Sequence, residues 1–460
     1  MNRILVAFLM SLGLLVSALA QSDAALRAVM EKDSADRDAS GRVARLSAEE
    51  HLARADVYMA NRLFPQAREH WQRFLEEFPT DPGLPRAIFG MARSNMWERR
   101  YQEAIDWFDK LHPDFFGTKE GREGLAFKGA CYVRLRKPSE AFKVYELYTA
   151  MFPTGEKIDS AHLNIIDALR EAGRYPEAID WVDRTRLRFS GLPVETNALH
   201  ARLRLELFRQ NWADAVTTAD DLLMLNKFSG SMAGLDEIRF LRAHALEKAG
   251  RRAEAVAAYR TIPDGISSYY GGLAAERLGK LDPSNLVRKT VSATPKHYQD
   301  FPVPYRSELL RHARPRDIDP RFVLAIMKQE SSFRPGAKSP AAARGLLQLV
   351  FDTAIRYSKQ TGYAALKPDD LYDPATNIAI GSLYIAELKR EFGGMYEAIA
   401  ASYNGGEDNA LRWLERTRPK EAAIFASEVG FAETKNYVYK VMSNYRVYRE
   451  LYNEDLSRKQ

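Results

Sequence analysis

Glu330 closes the run Phe322-Val323-Leu324-Ala325-Ile326-Met327-Lys328-Gln329-Glu330. Val323, Ile326, Met327 and Glu330 fall at i, i+3, i+4 and i+7, so a helix would put this carboxyl group on its apolar stripe. A carboxylate there is partly desolvated, which raises its pKa and keeps a proton available near neutral pH. That is the property a general acid needs to cleave a glycosidic bond. Position alone leaves a second reading open, a helix-end glutamate turned to water. The next carboxylate along the chain is Asp352. The local segment therefore lacks the second acid of a retaining two-carboxylate site, where the groups stand about 5 Å apart, unless a distant one folds in.

The segment after Glu330, SSFRPGAKSPAAARGLLQLVF, is rich in small residues and contains no acid. Gly345 permits close backbone approach. Ser339 and Gln348 can hydrogen-bond sugar hydroxyls or an acetamido group. The expectation is a cleft floor for an N-acetylated glycan.

Further motifs follow in order: Leu371-Tyr372-Asp373-Pro374 with Asn377 and Gly381, then Ala401-Ser402-Tyr403-Asn404-Gly405-Gly406, then Glu433-Thr434-Lys435-Asn436-Tyr437-Val438. Taken singly, Tyr403 and Tyr437 read as core aromatics, Asn404-Gly405-Gly406 as a turn and Glu433 as a surface residue. Together with Glu330-Ser331-Ser332-Phe333, Ser339-Pro340 and Gly345-Leu346-Leu347-Gln348-Leu349, the ordered set resembles the soluble lytic transglycosylases over about Pro304 to Tyr452. The resemblance implies a lysozyme-like domain with Glu330 as single catalytic acid/base. It implies sugar subsites shaped by Ser339, Gln348, Tyr403, Asn404, Glu433 and Tyr437, with Gly345 in the cleft floor. The substrate implied is the glycan strand of peptidoglycan, cleaved between N-acetylmuramic acid and N-acetylglucosamine to leave a 1,6-anhydro end. Val350-Phe351, Ala342, Ser402 and Leu347 depart from the family pattern and bear on subsite fit; none removes the acid. A hydrolytic muramidase using the same acid, and a wall-binding or partner-docking scaffold without catalysis, stay open as alternatives.

The elements that must position these residues are helices. Asp319 can cap the Glu330 helix and Pro320 can occupy its first turn. Upstream, Ala67, Ala104, Ala141, Ala178 and Ala215 recur every 37 residues, and Ala255 follows after 40. An acidic residue precedes five of the six, and an aromatic follows three or four residues after most: Trp71, Trp107 with Phe108, Tyr145, Trp181 and Tyr259. The small alanine lets two helices approach, and the aromatic fills the gap to a neighbour. This regularity predicts a solenoid of helix hairpins and resembles the tetratricopeptide family, whose usual period is shorter. Such a solenoid suits a scaffold or a docking surface for a cell-wall protein partner. The run Ser268-Tyr269-Tyr270-Gly271-Gly272-Leu273-Ala274 is expected to pack it against the last domain.

The fold class expected is therefore all-α: a tetratricopeptide-like superhelical solenoid, then a lysozyme-like catalytic domain. The proposed divisions are a signal peptide at 1–20, the repeats with their linker at 21–302, and the catalytic domain at 303–460. Arg3, the apolar run Ile4 to Val16 and Ser17-Ala18-Leu19-Ala20 read as an export signal, which implies a soluble periplasmic protein. No later stretch is long and apolar enough to span a bilayer. The 460 residues are about three domains' worth, and 46% hydrophobic with 28% charged residues excludes disorder. The lone Cys131 excludes an internal disulfide, a zinc cluster or a CxxC redox pair, and no metal or cofactor is expected. The net charge of +6 suits an anionic polymer such as the cell wall, and no basic stripe interleaved with aromatics points to nucleic acid.

Overall fold

The computed structural model describes residues 23–38, 40–265, 267–283 and 294–459. The expected signal peptide at 1–20 lies outside the described residues. Among them the regular elements are helices, with two isolated β-bridges, Arg344–Leu349 and Tyr452–Arg458. None of these helices is long and apolar enough to cross a membrane. By its internal contacts the chain forms two units.

The first unit comprises residues up to Arg174 with the short segments Lys338–Ala343 and Val350–Thr353. Its helices are α1 (Asp23–Asp36), α2 (Ala48–Ala60), α3 (Phe64–Glu77), α4 (Leu84–Trp97), α5 (Tyr101–Asp109), α6 (Lys119–Arg134), α7 (Pro138–Met151) and α8 (Ile158–Glu171), each packed on the next. The repeat alanines Ala67, Ala104 and Ala141 have no exposed surface. The aromatic of each repeat works at i+4, not at i+3. Trp71, Phe108 and Tyr145 are buried, while Trp107 stays partly exposed. Glycine on the following or preceding helix makes room for the ring. A Cβ at Gly90 would lie 2.4 Å from Trp71, and one at Gly129 would lie 2.7 Å from Tyr145. Cys131 is fully buried in α6, and burial pushes its thiol up to about 12, so it is a small core residue. The two short segments are held by ion pairs. Arg62 grips Asp352 with two hydrogen bonds of 2.6 and 2.8 Å, and Lys338 Nζ reaches Asp23 at 2.8 Å.

The second unit comprises residues 175–337, 344–349 and 354–460. The repeats continue through α9 (Tyr175–Arg188), α10 (Pro193–Arg209), α11 (Trp212–Leu225), α12 (Leu235–Lys248), α13 (Arg252–Arg260) and α14 (Tyr269–Leu281). Ala178, Ala215 and Ala255 are again fully buried, with Val182, Ala219 and Tyr259 at the buried i+4 position. After α15 (Pro295–Asp300) and α16 (Arg306–His312) comes α17 (Pro320–Ser331). Helix α18 (Phe351–Ser358) begins in the first unit's segment. The chain ends with α19 (Pro374–Glu391), α20 (Tyr396–Gly405), α21 (Glu407–Arg416), α22 (Ala422–Glu428) and α23 (Ala432–Leu451). One hydrophobic cluster joins Leu203, Phe240, Tyr259 and Tyr270 of the repeats to Ala423, Ile424 and Ala426 of α22. The expected aromatic contact at Tyr269-Tyr270 forms within this unit: Tyr269 stacks on Tyr439 at 5.1 Å, and its hydroxyl donates to Glu397 at 3.2 Å.

Candidate active site

Helix α17 starts as its sequence dictates. Asp319 caps it by accepting from the Arg321 backbone N–H at 2.9 Å, with Pro320 in the first turn. Phe322 to Met327 are completely buried, and the helix stops where Ser332 takes a left-handed conformation. This buried shaft carries Glu330 to its half-buried tip.

Helix α23 lies along α17 and meets it at two polar contacts. At the start of α17, Tyr445 Oη donates to Asp319 Oδ2 at 2.8 Å. At its end, Tyr437 Oη donates to Glu330 Oε1 at 2.6 Å. Between these, the Phe322 ring meets Tyr445 edge-on at 5.4 Å. Burial pushes the Glu330 carboxyl up to about 7. The Tyr437 hydrogen bond opposes that rise, and the charge of Glu433, one turn before Tyr437 on the same face, adds to it. Burial and the charge of Glu330 hold the phenols of Tyr403 and Tyr437 well above 10, so both remain hydrogen-bond donors at neutral pH.

The loop 344–349 is built by Asn377 of α19. Its Nδ2 donates to Arg344 O at 3.0 Å and Leu371 O at 2.7 Å, and its Oδ1 accepts from Leu347 N at 2.8 Å. Gly345 sits in this loop at φ +80°, where a Cβ would lie 2.1 Å from Leu371 O and 2.3 Å from Asn377 Nδ2. The close approach it permits is to the protein's own backbone. Gly381 plays the matching part on α19, since a Cβ there would lie 2.4 Å from Leu347. Gln348 donates from Nε2 to Ala337 O and Gly345 O, both at 2.9 Å, which fixes its amide within the loop. Ser331 Oγ donates to Leu346 O at 2.7 Å and ties the loop to the Glu330 helix.

Tyr403 Oη donates to Leu347 O at 2.7 Å, and its ring continues a ladder through Tyr384 to Tyr357. Asn404 is exposed, and its Oδ1 accepts from Thr434 Oγ1 at 2.6 Å, which fixes the amide between α20 and α23. The structure thus gathers Glu330, Glu433, Tyr437, Tyr403, Asn404 and the Gly345–Gln348 loop on neighbouring elements of the second unit. Ser339 belongs to the first unit's segment 338–343, where its Oγ accepts from Ala343 N at 3.1 Å. Asn377, Tyr384 and Thr434 shape the site without standing among the expected site residues. Asn377, Gly381 and Tyr384 share one face of α19 at i, i+4 and i+7, a spacing that marks them as a unit. Among the described residues no cluster of His, Cys, Asp or Glu could hold a metal ion.

The transglycosylase SLT domain family matches residues 310–426, and the tetratricopeptide repeat family matches 52–114 and 132–190. The chain is 33% identical over 151 residues to the soluble lytic murein transglycosylase of Salmonella typhimurium, a match covering 32% of this chain and 23% of that protein. It is 31% identical over 181 residues to the membrane-bound lytic murein transglycosylase C of Salmonella arizonae, covering 35% and 50%. The match therefore spans about a quarter of the length of the first of these relatives and half of the second. Among solved structures, an inactive mutant of the lytic transglycosylase Slt from Pseudomonas aeruginosa superposes with a TM-score of 0.51 at 18% identity, covering 94% of this chain and 76% of that one. The 70 kDa soluble lytic transglycosylase of Escherichia coli superposes at 0.50 and 19% identity, covering 95% and 85%. These likenesses bear out the all-α solenoid followed by a lysozyme-like domain. Residues 310–426 are thus similar to transglycosylase SLT domains, and the helices before them, at 52–114 and 132–190, to tetratricopeptide repeats.

Proposed function

We propose that this protein is a lytic transglycosylase of peptidoglycan, with residues 303–460 as its catalytic domain and the repeats of 21–302 as a scaffold. The observation that carries the reading is a single glutamate, Glu330, held by burial with its carboxyl near pH 7 inside the region that matches the SLT family. The substrate is the glycan strand, cut at the β-1,4 bond between N-acetylmuramic acid and N-acetylglucosamine.

Glu330 gives its proton to the bridging oxygen as the bond from C1 breaks, and N-acetylglucosamine leaves with a 4-hydroxyl. The C1 centre develops oxocarbenium character. The 2-acetamido oxygen of the muramic residue bonds to C1, as in substrate-assisted glycosidases. The ionised Glu330 then takes the proton of the C6 hydroxyl, whose oxygen displaces the acetamido oxygen from C1. The product is a 1,6-anhydro sugar, Glu330 is again protonated, and no water is consumed. A carboxyl near 7 serves both steps, because donor and acceptor forms are each accessible at neutral pH. Tyr437 steadies the ionised form between them. Ser339, Gln348, Tyr403, Asn404 and Glu433 are proposed to line the sugar subsites, with Gly345 allowing the loop beneath them. The protein is proposed to act in the periplasm, exported by residues 1–20. The solenoid offers a surface for a cell-wall protein partner.

The test is mass spectrometry of products from purified peptidoglycan. Anhydro ends, lighter by one water than hydrolysed ends, support the reading. Hydrated ends identify a hydrolytic muramidase, and an intact sacculus identifies a non-catalytic scaffold.

A further inference from the structure

Helix α23 has two working faces. Glu433 and Tyr437 point to the site. Lys435, about 200° round the helix from Tyr437, points the other way, and Tyr439 and Met442 continue its stripe at i+4 and i+7. Lys435 is buried, with a side chain 3% exposed. Its Nζ donates to Glu237 Oε1 at 2.9 Å and to Ser427 O at 3.2 Å. Glu237 is itself 1% exposed and lies in α12, a repeat helix. Its other oxygen accepts from Tyr439 Oη at 3.3 Å and from the Gly234 backbone N–H at 3.3 Å. His200 of α10 places Nε2 3.1 Å from Glu237 Oε1, and burial keeps that imidazole neutral near pH 7. Beside this pair lies a second buried group, Glu428 with Arg204 at 3.3 Å and Arg416 at 3.5 Å.

Burying two charges costs several kcal/mol each, and an apolar pair of the same volume often serves stability as well. What a buried ion pair adds is register. Lys435 meets its one carboxylate and one carbonyl at a single rotation and height of α23. The same rotation and height bring Tyr437 to 2.6 Å from Glu330. A slip of about 1 Å would break that contact, and displacements of this size cost on the order of 100-fold in rate.

We propose that Glu237 and Lys435 are positioning residues: through this buried pair the repeats set the register of the helix that presents Tyr437 to Glu330. The inference rests on the function proposed above, yet it concerns a geometry that can be read without turnover.

The test is infrared titration of the Glu330 carboxyl, assigned by difference against Glu330→Gln, in the full-length protein. Tyr437→Phe sets the reference, because loss of its hydrogen bond raises the midpoint by about one pH unit. The double variant Glu237→Met/Lys435→Met removes the charges but keeps the volume. The expected result is a folded protein whose Glu330 midpoint rises toward that of Tyr437→Phe, with kcat on peptidoglycan down about tenfold or more and KM little changed. A folded double variant with the wild-type midpoint overturns the proposal. If the double variant fails to fold, Glu237→Gln/Lys435→Met, which removes the ion pair while leaving Tyr439 an acceptor at position 237, answers the same question: a raised midpoint supports the positioning role and an unmoved one overturns it. A wild-type protein that leaves peptidoglycan uncut refutes the enzymatic reading, while the midpoints still decide the positioning claim.

Discussion

Tyr437 Oη lies 2.6 Å from Glu330 Oε1, although 107 residues separate the two in the chain. The same pair of helices is joined at the opposite end by Tyr445 and Asp319 at 2.8 Å. Two tyrosines of one helix thus bracket the other, whose middle is wholly buried. The carboxyl at the tip is only partly exposed, and burial raises its pKa to about 7.

Removing the phenol changes that balance in one direction. Tyr437 stabilises the ionised carboxyl, so Tyr437→Phe is expected to raise the Glu330 pKa. In the proposed cycle Glu330 begins protonated, so the alkaline limb of kcat/KM should move up by about one pH unit. A pH–rate profile on purified peptidoglycan checks this.

The neighbouring carboxylate acts with the opposite sign. The charge of Glu433 raises Glu330, so Glu433→Gln should lower the alkaline limb, by on the order of half a unit. Opposite shifts in the two variants, measured side by side, separate electrostatics from general damage to the cleft.

The buried acid also weakens the fold. Folding raises the Glu330 carboxyl from 4.5 to about 7. The penalty is absent below pH 4.5, grows between these values and is complete above 7. Glu330→Gln should therefore lose at least about a thousandfold in activity while gaining up to about 3 kcal/mol in stability at pH 8 and nothing at pH 4. Urea unfolding at the two pH values measures it.

The loop beneath the site depends on one missing methyl group. Gly345→Ala would place a Cβ against Leu371 O and Asn377 while forcing alanine to φ +80°. A loss of about 2–3 kcal/mol is expected, with falling kcat as Gln348 and the Tyr403 anchor at Leu347 O shift. Denaturant midpoints and kcat, taken together, test this.

The helix bearing Glu330 was legible because the cap at Asp319 and the apolar period are local signals. The repeat alanines were legible for the same reason, since each repeat copies one packing problem. The period alone did not say which aromatic faces inward. Trp107 and Phe108 are adjacent, and only packing on the next helix selects the i+4 residue. Partners distant in sequence were invisible. Tyr437 with Glu330 and Lys435 with Glu237 are joined only by the folded path of the chain. The scattered histidines hid a contact too: His51 and His70 meet at 3.1 Å, with His70 bound to Asp33 at 2.9 Å, in a buried cluster that pins α1 to the repeats. The resemblance carried Asn404 and Glu433 into view, but not Thr434, which fixes the Asn404 amide.

The measurement closest to the central claim is carbon-13 NMR titration of the Glu330 carboxyl in labelled protein, assigned by its loss in Glu330→Gln. The expected midpoint is near pH 7. A midpoint at the ordinary glutamate value of about 4.3 would show a freely hydrated side chain and contradict the assignment of Glu330 as the proton-holding acid.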